Sequence, residues 1–513
     1  MSFMSILFNE QTNLLRAEHA EIPPFFVDLN LDQVIDAISA DWKEYNLKPF
    51  FYFKPDNIDA IRYRQEVFQD LENVTLFKHV RFFTERMREV RKHLIMKDKL
   101  HYHYQKEIWF LYAVEIYCDS IKHFVEDLSS SESLNSRGFL AFREYLNNYT
   151  ASVNFTTLSE ELNRIKVDLA NVKYRVIIKS NSFTVQNYET EIDYSAEIEE
   201  TFEKFKQGAV KNYLVKYKSS PEDMNHIEYQ ILDFVAQLNP ELFSRLDNII
   251  IRNVNFIDET IAAFDREIHF YISYLEHIEK FKLNKLQFCY PNVVSESKEI
   301  FDYEGFDLAL AQKLFEENAQ IVCNDFFLKG KERIIVVTGP NQGGKTTFAR
   351  TFGQLHFLAN IGCPVPGREA QLFLFDKIFT QFERVEKVEN LRGKLEDDLK
   401  RILSILEQAT PQSVIIMNEI FNSTTLQDMT LLSKKVLEKI VELDLLCAWV
   451  TFIDELASFN EKTVSMTSMV DPIDPALRTY KVIRRSADGL AYAMAIAEKY
   501  RLTYNHIKER IEL

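Results

Sequence analysis

The sequence predicts a multidomain α+β fold in which a mostly helical N-terminal region precedes a C-terminal α/β domain. The first observation behind this prediction is the distribution of glycine, because only Gly138 and Gly208 of the 12 glycines occur before residue 305. Glycine supplies the positive φ angles of tight turns, so its scarcity indicates long helices. The second observation is a glycine-rich loop at residues 339–344 that follows an apolar run, as in α/β nucleotide-binding domains.

The composition excludes several classes of protein. The 46% hydrophobic and 27% charged residues are typical of a globular chain, and no apolar run approaches the length of a membrane span. The first ten residues lack the basic and apolar regions of a secretory signal. The five cysteines are widely spaced without a C-x-x-C pair, which favours a reducing compartment. We therefore expect a cytoplasmic protein.

Three regions are predicted along the chain. Residues 1–30 are expected to be an irregular segment closed by Pro23-Pro24. Residues 31–285 have helical periodicity and are predicted to form a mostly helical domain, with an insertion near residues 150–225. Residues 286–513 are predicted to form a P-loop α/β domain of the ABC-like type.

Two segments with heptad spacing predict an arm. The first is followed at residues 173–188 by alternating apolar residues around the polar turn 180–182, which predicts a β-hairpin. Such seams pack along other long helices, so an antiparallel arm with a structured tip is expected. The two sets of seam residues are Leu158, Leu162, Ile165, Leu169 and Val172, and then Val254, Ile257, Ile261, Phe264, Ile268, Tyr271, Leu275 and Ile278.

A lysine-rich stretch lies between the two seams, at residues 204–218, and contains Phe205, Tyr213 and Tyr217. Lysines beside aromatic residues can bind a nucleic-acid backbone, but an ordinary exposed helix face has the same composition. The net charge of −16 argues against a generally basic, DNA-coating surface. Both interpretations of this stretch stay open.

The glycine-rich loop satisfies the pattern G-x-x-x-x-G-K-[ST], which cradles the phosphates of a nucleoside triphosphate. Backbone N–H groups and the N-terminus of the following helix bind phosphate oxygens. Lys345 is placed to reach the β- and γ-phosphates, and Thr346 to ligate Mg²⁺. A nucleoside triphosphate with Mg²⁺ is therefore the expected ligand. The predicted binding residues are Gly339, Pro340, Asn341, Gln342, Gly343, Gly344, Lys345, Thr346 and Thr347.

A second apolar strand, predicted at residues 413–417, ends in Asn418-Glu419. This arrangement is typical of a Walker B strand, whose terminal residue holds Mg²⁺ and whose next acid positions the attacking water. Asn418 is thus a candidate metal ligand together with Thr346. Glu419 is the candidate catalytic base, and Lys345 the second candidate catalytic residue. Further strands are predicted at residues 445–452, 464–470 and 479–485, followed by two closing helices.

At this point the chain resembles the MutS family of DNA mismatch repair ATPases. Residues 338–347, Thr-Gly-Pro-Asn-Gln-Gly-Gly-Lys-Thr-Thr, are similar to the family's T-G-P-N-M-G-G-K-S-T. Residues 322–325 resemble its V-x-N-D, residues 376–380 its D-x-I-F-T, and residues 409–413 its A-T-x-x-S. Residues 491–510 are similar to its terminal helix–loop–helix. The resemblance implies dimers whose lever helices connect the ATPase domain to a clamp on DNA. It implies that residues 31–285 are the core and lever domain and that the insertion near residues 150–225 is clamp-like. It also implies that the nucleotide is ATP.

The chain departs from the family pattern at four places. About 30 residues precede the lever region, so we expect no mismatch-recognition domain, and Phe83-Thr84-Glu85 lies in a helical pattern that does not suit a wedge. The Walker B pair has Asn418 in place of aspartate. Phe452 stands where the family has a histidine facing the γ-phosphate. Residues 393–398 replace the signature G-x-S-T-F-M and contain no serine.

The resemblance implies a homodimeric ATPase that couples Mg-ATP to lever movement on DNA, binding DNA by structure and not by mismatch. The alternative is an ATP-gated protein-interaction switch with weak or no hydrolysis, which the acidic charge and the lost catalytic groups favour. Another dimeric P-loop ATPase with arms, of the ABC or SMC kind, is a third hypothesis. The absence of an L-S-G-G-type signature argues against it.

Overall fold

A computed structural model of the protein describes residues 3–131, 134–180, 182–188, 224–383, 393–471, 477–487 and 500–511. These residues form two compact units. Unit 1 comprises residues 1–72, 135–140 and 266–513, and unit 2 comprises residues 73–134 and 141–265. The fold is mixed α/β, as predicted. The lysine-rich stretch 204–218 and most of the predicted helix 491–502 lie outside the described residues.

The helices dominate the chain before residue 284, as the scarcity of glycine predicts. Asparagine and serine side chains cap several of them; for example, Asn57 accepts a hydrogen bond from the backbone N–H of Ala60. The α-helices are α1 Gln11–Glu18, α2 Leu31–Ser39, α3 Lys48–Tyr52, α4 Ile58–Leu71, α5 Val74–Lys99, α6 His103–Ser130, α7 Arg137–Thr150, α8 Val153–Ala170, α9 His226–Leu238, α10 Pro240–Arg252, α11 Glu259–Leu283, α12 Leu308–Glu316, α13 Lys345–Asn360, α14 Lys394–Gln408, α15 Leu426–Leu443 and α16 Tyr504–Ile511.

The strands are concentrated in the C-terminal part of the chain. They are β1 Tyr174–Lys179, β2 Ser182–Asn187, β3 Phe288–Cys289, β4 Asn292–Val294, β5 Ile300–Gly305, β6 Asn324–Leu328, β7 Ile334–Thr338, β8 Val365–Pro366, β9 Glu369–Phe373, β10 Ile378–Gln381, β11 Val414–Asn418, β12 Leu446–Val450, β13 Thr463–Val470 and β14 Arg478–Arg484.

A six-stranded sheet forms the core of unit 1, in the order β10-β11-β12-β7-β13-β14. All neighbouring pairs are parallel except β13 and β14. The three central strands, β11, β12 and β7, are buried along their whole length, which is typical of parallel strands covered on both faces. Because parallel strands end at the same edge, the loops after β7, β11 and β12 meet there. A second sheet, β4-β9-β5-β6, belongs to the same unit.

Unit 2 contains the predicted hairpin and the first heptad seam. Strands β1 and β2 pair antiparallel with Val176 opposite Val185, so the hairpin prediction is confirmed. In α8, Leu158, Leu162 and Ile165 are buried as the seam requires. Whether this hairpin is the tip of a lever stays a prediction.

The second seam is shorter than predicted. Helix α11 begins at Glu259, so Val254 and Ile257 precede it, and Val254 is 59% exposed. The preceding helix, α10, ends at Arg252. The prediction of one helix through Val254 was wrong because heptad spacing continues across a break that no glycine or proline marks. The later seam residues from Ile261 to Ile278 are buried.

The N-terminal segment is more ordered than predicted. Residues 11–18 form α1, and the buried carboxylate of Glu267 accepts hydrogen bonds from Ser5 Oγ (2.6 Å) and the backbone N–H of Ile6 (3.0 Å). Burial raises the pKa of Glu267 to about 7, while these hydrogen bonds lower it. Residues 31–72 lie in unit 1 with residues 286–513, which differs from the division expected from the sequence. A buried, hydrogen-bonded anchor of this kind leaves no trace in local periodicity.

Two phenylalanines in Phe-x-Glu sequences are core residues. Phe83 is 1% exposed and stacks on Phe124, which agrees with its rejection as a wedge. Phe8-Asn9-Glu10 has the same pattern, but Phe8 is 2% exposed and packs edge-on against Phe53. A side chain held in this way is not available to insert between DNA bases.

Asp444 lies at the edge of the main sheet where strands β7, β12 and β13 begin. It ends α15 with a left-handed φ of 55° and accepts hydrogen bonds from Lys462 Nζ (2.6 Å) and Lys298 Nζ (3.3 Å). Burial alone would raise the pKa of Asp444, but Lys462, Arg333 and Lys298 lower it to about 2, below the ordinary 3.8. The carboxylate therefore stabilises the fold above about pH 4, and this stabilisation is lost as the pH falls toward 2.

None of the helices in the described ranges is both long enough and apolar enough to cross a membrane.

Candidate nucleotide site

The glycine-rich loop connects β7 to α13 at the C-terminal edge of the main sheet. Gly339 and Gly344 have φ angles of +113° and +92°, which L side chains rarely adopt. A Cβ at Gly339 would also lie 2.7 Å from Ser468 Oγ on the neighbouring strand β13. The loop therefore needs glycine for backbone conformation and for space. It leads directly into the N-terminus of α13, where the partial positive charge of the helix favours an anion.

Lys345 is the first residue of α13 and is 4% exposed. Its Nζ donates a hydrogen bond to the carbonyl oxygen of Gly339 at 2.8 Å and lies 3.8 Å from Glu419 Oε1. It also lies 4.2 Å from the centre of the Phe452 ring. Burial lowers the pKa of Lys345, and the nearby Glu419 carboxylate raises it. The lysine is thus held inside the loop, where a phosphate would replace its carbonyl partner.

Thr346 and Asn418 bring two oxygen atoms together from different elements. Thr346 Oγ1 donates a hydrogen bond to Asn418 Oδ1 at 2.9 Å. Adjacent ligands of an octahedral Mg²⁺ with bonds of 2.0–2.1 Å lie about 3.0 Å apart. The two oxygens therefore have the spacing of neighbouring Mg²⁺ ligands, and the sequence-predicted pair fits this ion.

Glu419 follows strand β11 directly and has a left-handed φ of 51°. Its backbone N–H donates to the carbonyl oxygen of Val450 on β12 at 2.9 Å, which fixes the turn. Burial raises the pKa of the Glu419 carboxyl, whereas Lys345 lowers it. The side chain is 24% exposed, so water reaches it. This is the environment of a carboxylate that can accept a proton from a bound water.

Other charged groups surround this carboxylate. Glu383 adds a negative charge that raises the pKa of Glu419, but its own Oε1 pairs with Lys394 Nζ at 2.6 Å. The charge of Asp454 acts on Lys345. These two acids were not predicted from the sequence, since neither is a member of a recognised motif. Glu419 lies within ion-pair distance of Lys345, at 3.8 Å between Oε1 and Nζ.

A cavity of about 370 Å³ opens beside the loop. It is lined by Gly344 and Thr347 of the loop and helix, by Val322 and Asn324, and by Tyr480. The Asn324 side chain fixes one wall, because Nδ2 donates to Tyr480 O at 3.2 Å and Oδ1 accepts from Val482 N at 2.8 Å. Residues 322–325 gave a sequence signal for this wall, whereas Tyr480 carried none.

The remaining family-like motifs serve the frame of the site. Asp376 accepts hydrogen bonds from Thr410 Oγ1 at 2.6 Å and from Ser413 Oγ at 2.8 Å, which joins two motifs that are distant in the sequence. Asp398, at the end of the altered signature 393–398, is buried and accepts from Gln381 Nε2 at 3.0 Å. Its carboxylate is therefore engaged within its own chain.

Comparison with known proteins gives one family. Residues 335–510 match the model of MutS domain V, which contains the loop, Glu419 and strand β12 described above. The C-terminal part of the chain is therefore similar to domain V of the MutS family. This confirms the resemblance inferred from the motifs at residues 338–347 and 376–380.

The relatives match only part of the chain. The chain is 28% identical over 235 residues to the DNA mismatch repair protein MutS of Orientia tsutsugamushi (strain Boryong), covering 44% of the chain and 26% of the relative. It is 26% identical over 215 residues to Endonuclease MutS2 of Thermus thermophilus, covering 39% and 29%. It is 25% identical over 346 residues to the DNA mismatch repair protein MutS of Borrelia garinii subsp. bavariensis, covering 66% and 38%. The chain thus spans between about a quarter and two fifths of these relatives.

Proposed function

We propose that this chain is a P-loop ATPase that binds Mg-ATP at residues 339–347. The observation that carries the proposal is the convergence of Lys345, Thr346, Asn418 and Glu419 at one edge of the parallel sheet. Two strands that are distant in the sequence deliver these four side chains. A chance glycine-rich turn would not be accompanied by a metal-ligand pair and an acid.

Each part of the nucleotide has a matching part of the site. The phosphates lie against the loop N–H groups and the N-terminus of α13, with Lys345 moving its hydrogen bonds from Gly339 O to phosphate oxygens. The cavity bordered by Gly344 and Thr347 receives the nucleoside, since it is continuous with the loop and has an aromatic wall at Tyr480. The fit of this cavity supports a nucleoside triphosphate over a simple phosphate.

Hydrolysis is assigned to Glu419. Its carboxylate orients a water for attack on the γ-phosphate and accepts the proton as the P–O bond breaks. Thr346 and Asn418 would hold Mg²⁺, which would supply positive charge to neutralise the phosphate oxygens. Asn418 offers an oxygen without a negative charge, so it holds the ion more weakly than aspartate would. Lys345 stabilises the charge that develops on the transferred phosphoryl group.

Phe452 favours slow hydrolysis. Its ring covers Lys345 and offers no hydrogen bond to the γ-phosphate, and one missing donor costs about 10²–10³ in rate. This observation supports the alternative function of an ATP-gated protein-interaction switch with weak or no turnover. In that case ATP binding alone changes the conformation, and Glu419 acts as a sensor of the nucleotide.

The wider proposal is a homodimer through the ATPase domains that couples ATP to lever movement on DNA. It is supported by the DNA mismatch repair names of relatives that share domain V and by the hairpin β1–β2 between two heptad seams. Recognition is by DNA structure and backbone contact, without mismatch specificity. We base the proposed role in DNA repair or recombination on the names of the same relatives.

The test is ATPase activity of the purified chain with branched, duplex and single-stranded DNA and without DNA. Stimulation by one DNA structure, with binding that weakens steeply as salt rises, supports the DNA-linked ATPase. ATP binding without hydrolysis, and no salt-sensitive DNA binding, supports the interaction switch. Light scattering with and without ATP tests the dimer, and a strict monomer in both states would contradict it.

A further inference from the structure

Unit 2 contains a cluster of metal-ligating side chains far from the P-loop in the sequence. His103 is the first residue of α6, Glu107 lies one turn later, and Asp247 is on α10. His103 Nε2 lies 2.7 Å from Asp247 Oδ1 and 3.6 Å from Glu107 Oε1. One ligand atom from each of the three residues lies within 4.8 Å of the others, and no second such trio occurs among the described residues.

Glu107 is the unusual member of this trio. Its side chain is only 5% exposed, and its Oε2 is buried without a hydrogen-bond partner. A buried carboxylate oxygen without a partner is costly, because desolvation is not offset by a hydrogen bond. The neighbouring carboxylates of Glu107 and Asp247 therefore favour a positively charged ligand that both of them can bind.

We propose that His103, Glu107 and Asp247 bind one divalent transition-metal ion of the Zn²⁺ or Mn²⁺ class. One imidazole nitrogen and two carboxylate oxygens form a mixed set that suits these ions better than Mg²⁺ or Ca²⁺. Tetrahedral ligands at 2.0–2.2 Å from zinc lie about 3.4 Å apart. The observed separations of 2.7 and 3.6 Å lie on either side of that value, so small rotamer changes close the site.

Two of the three side chains are exposed, which gives the ion a route into the site. The side chains of His103 and Asp247 are 58% and 38% exposed, while Glu107 forms the floor. Solvent fills the remaining coordination positions. The ion links the start of α6 to α10, two helices that are separated by more than 100 residues of sequence, and so stabilises unit 2 when it is bound.

The experiment uses the full chain, stripped of metal by a chelator and dialysed, without nucleotide. Calorimetric titration with Zn²⁺, electron paramagnetic resonance titration with Mn²⁺ and melting curves with each ion are compared with Mg²⁺ and Ca²⁺. The test variants are Glu107→Gln and His103→Ala. Asp119→Asn, an exposed acid on the same helix, is the matched control.

We expect one Zn²⁺ or Mn²⁺ per chain and a melting temperature that rises with the ion. Both test variants should weaken binding at least tenfold, because even the loss of an outer hydrogen bond to a ligand costs 10–100-fold. Asp119→Asn should bind as the parent chain does. His103→Ala changes an exposed residue and keeps the test valid if Glu107→Gln folds poorly. Absence of binding, or zinc bound elsewhere with equal affinity in both variants, overturns the proposal in favour of a simple His103–Asp247 ion pair.

Discussion

Glu419→Gln tests the catalytic assignment most directly. The substitution keeps the shape of the side chain but removes the carboxylate 3.8 Å from Lys345 Nζ. A general base contributes about 10²–10⁴ to a rate, so we expect a loss of that size, equal to about 3–5 kcal/mol in the barrier. ATP affinity should be kept or should rise, because a negative charge near the triphosphate is removed. The variant should therefore trap bound ATP.

Single-turnover hydrolysis of radiolabelled ATP, with binding measured separately, separates these two effects. Because burial raises the pKa of Glu419, the parent rate should fall as the pH is lowered through a value above 4.5, and this acid limb should be absent in Glu419→Gln. Glu383→Gln is the matched control, since Lys394 already holds that carboxylate. A wild-type rate in Glu419→Gln, or a larger loss in Glu383→Gln, would refute the assignment and favour the interaction switch or another base.

Four further predictions follow from the geometry. Lys345→Ala should abolish Mg-ATP binding in calorimetry while the unfolding transition is kept, and unchanged affinity would remove Lys345 from the site. Asn418→Asp should keep or raise the single-turnover rate, because it restores negative charge beside Mg²⁺; a large drop would contradict this role. Asp444→Asn keeps a residue type that tolerates the left-handed φ, and should lower the free energy of unfolding at pH 7. The pKa shift of Asp444 sets an upper bound of about 2.4 kcal/mol, which screening at a 38% exposed carboxylate reduces to about 1 kcal/mol, and the loss should be smaller at pH 3. Mismatched duplex should bind within about tenfold of matched duplex in filter binding, and a larger preference would reveal a mismatch reader.

The elements whose signals are local were predicted well from the sequence. Strand β7, the loop after it and strand β11 carry short motifs in which each residue has a local role, so their positions are read within one residue. The hairpin β1–β2 is signalled by alternation around a polar turn. Errors occurred where local periodicity continued through a change of structure, as at Val254, or where an anchor lay elsewhere, as for α1.

The sequence by itself predicted the chemistry of the glycine-rich loop, because phosphate binding needs glycine, lysine and threonine at fixed short spacing. It also indicated the resemblance to the MutS family, through motifs that stay close together along the chain, and the match to MutS domain V confirms it. Only the tertiary structure decided which distant groups meet. The sheet order places Asn418 beside Thr346 and Phe452 over Lys345, and helix packing brings Asp247 to His103 and Glu107. Such contacts depend on crossings between elements, and no local pattern encodes them.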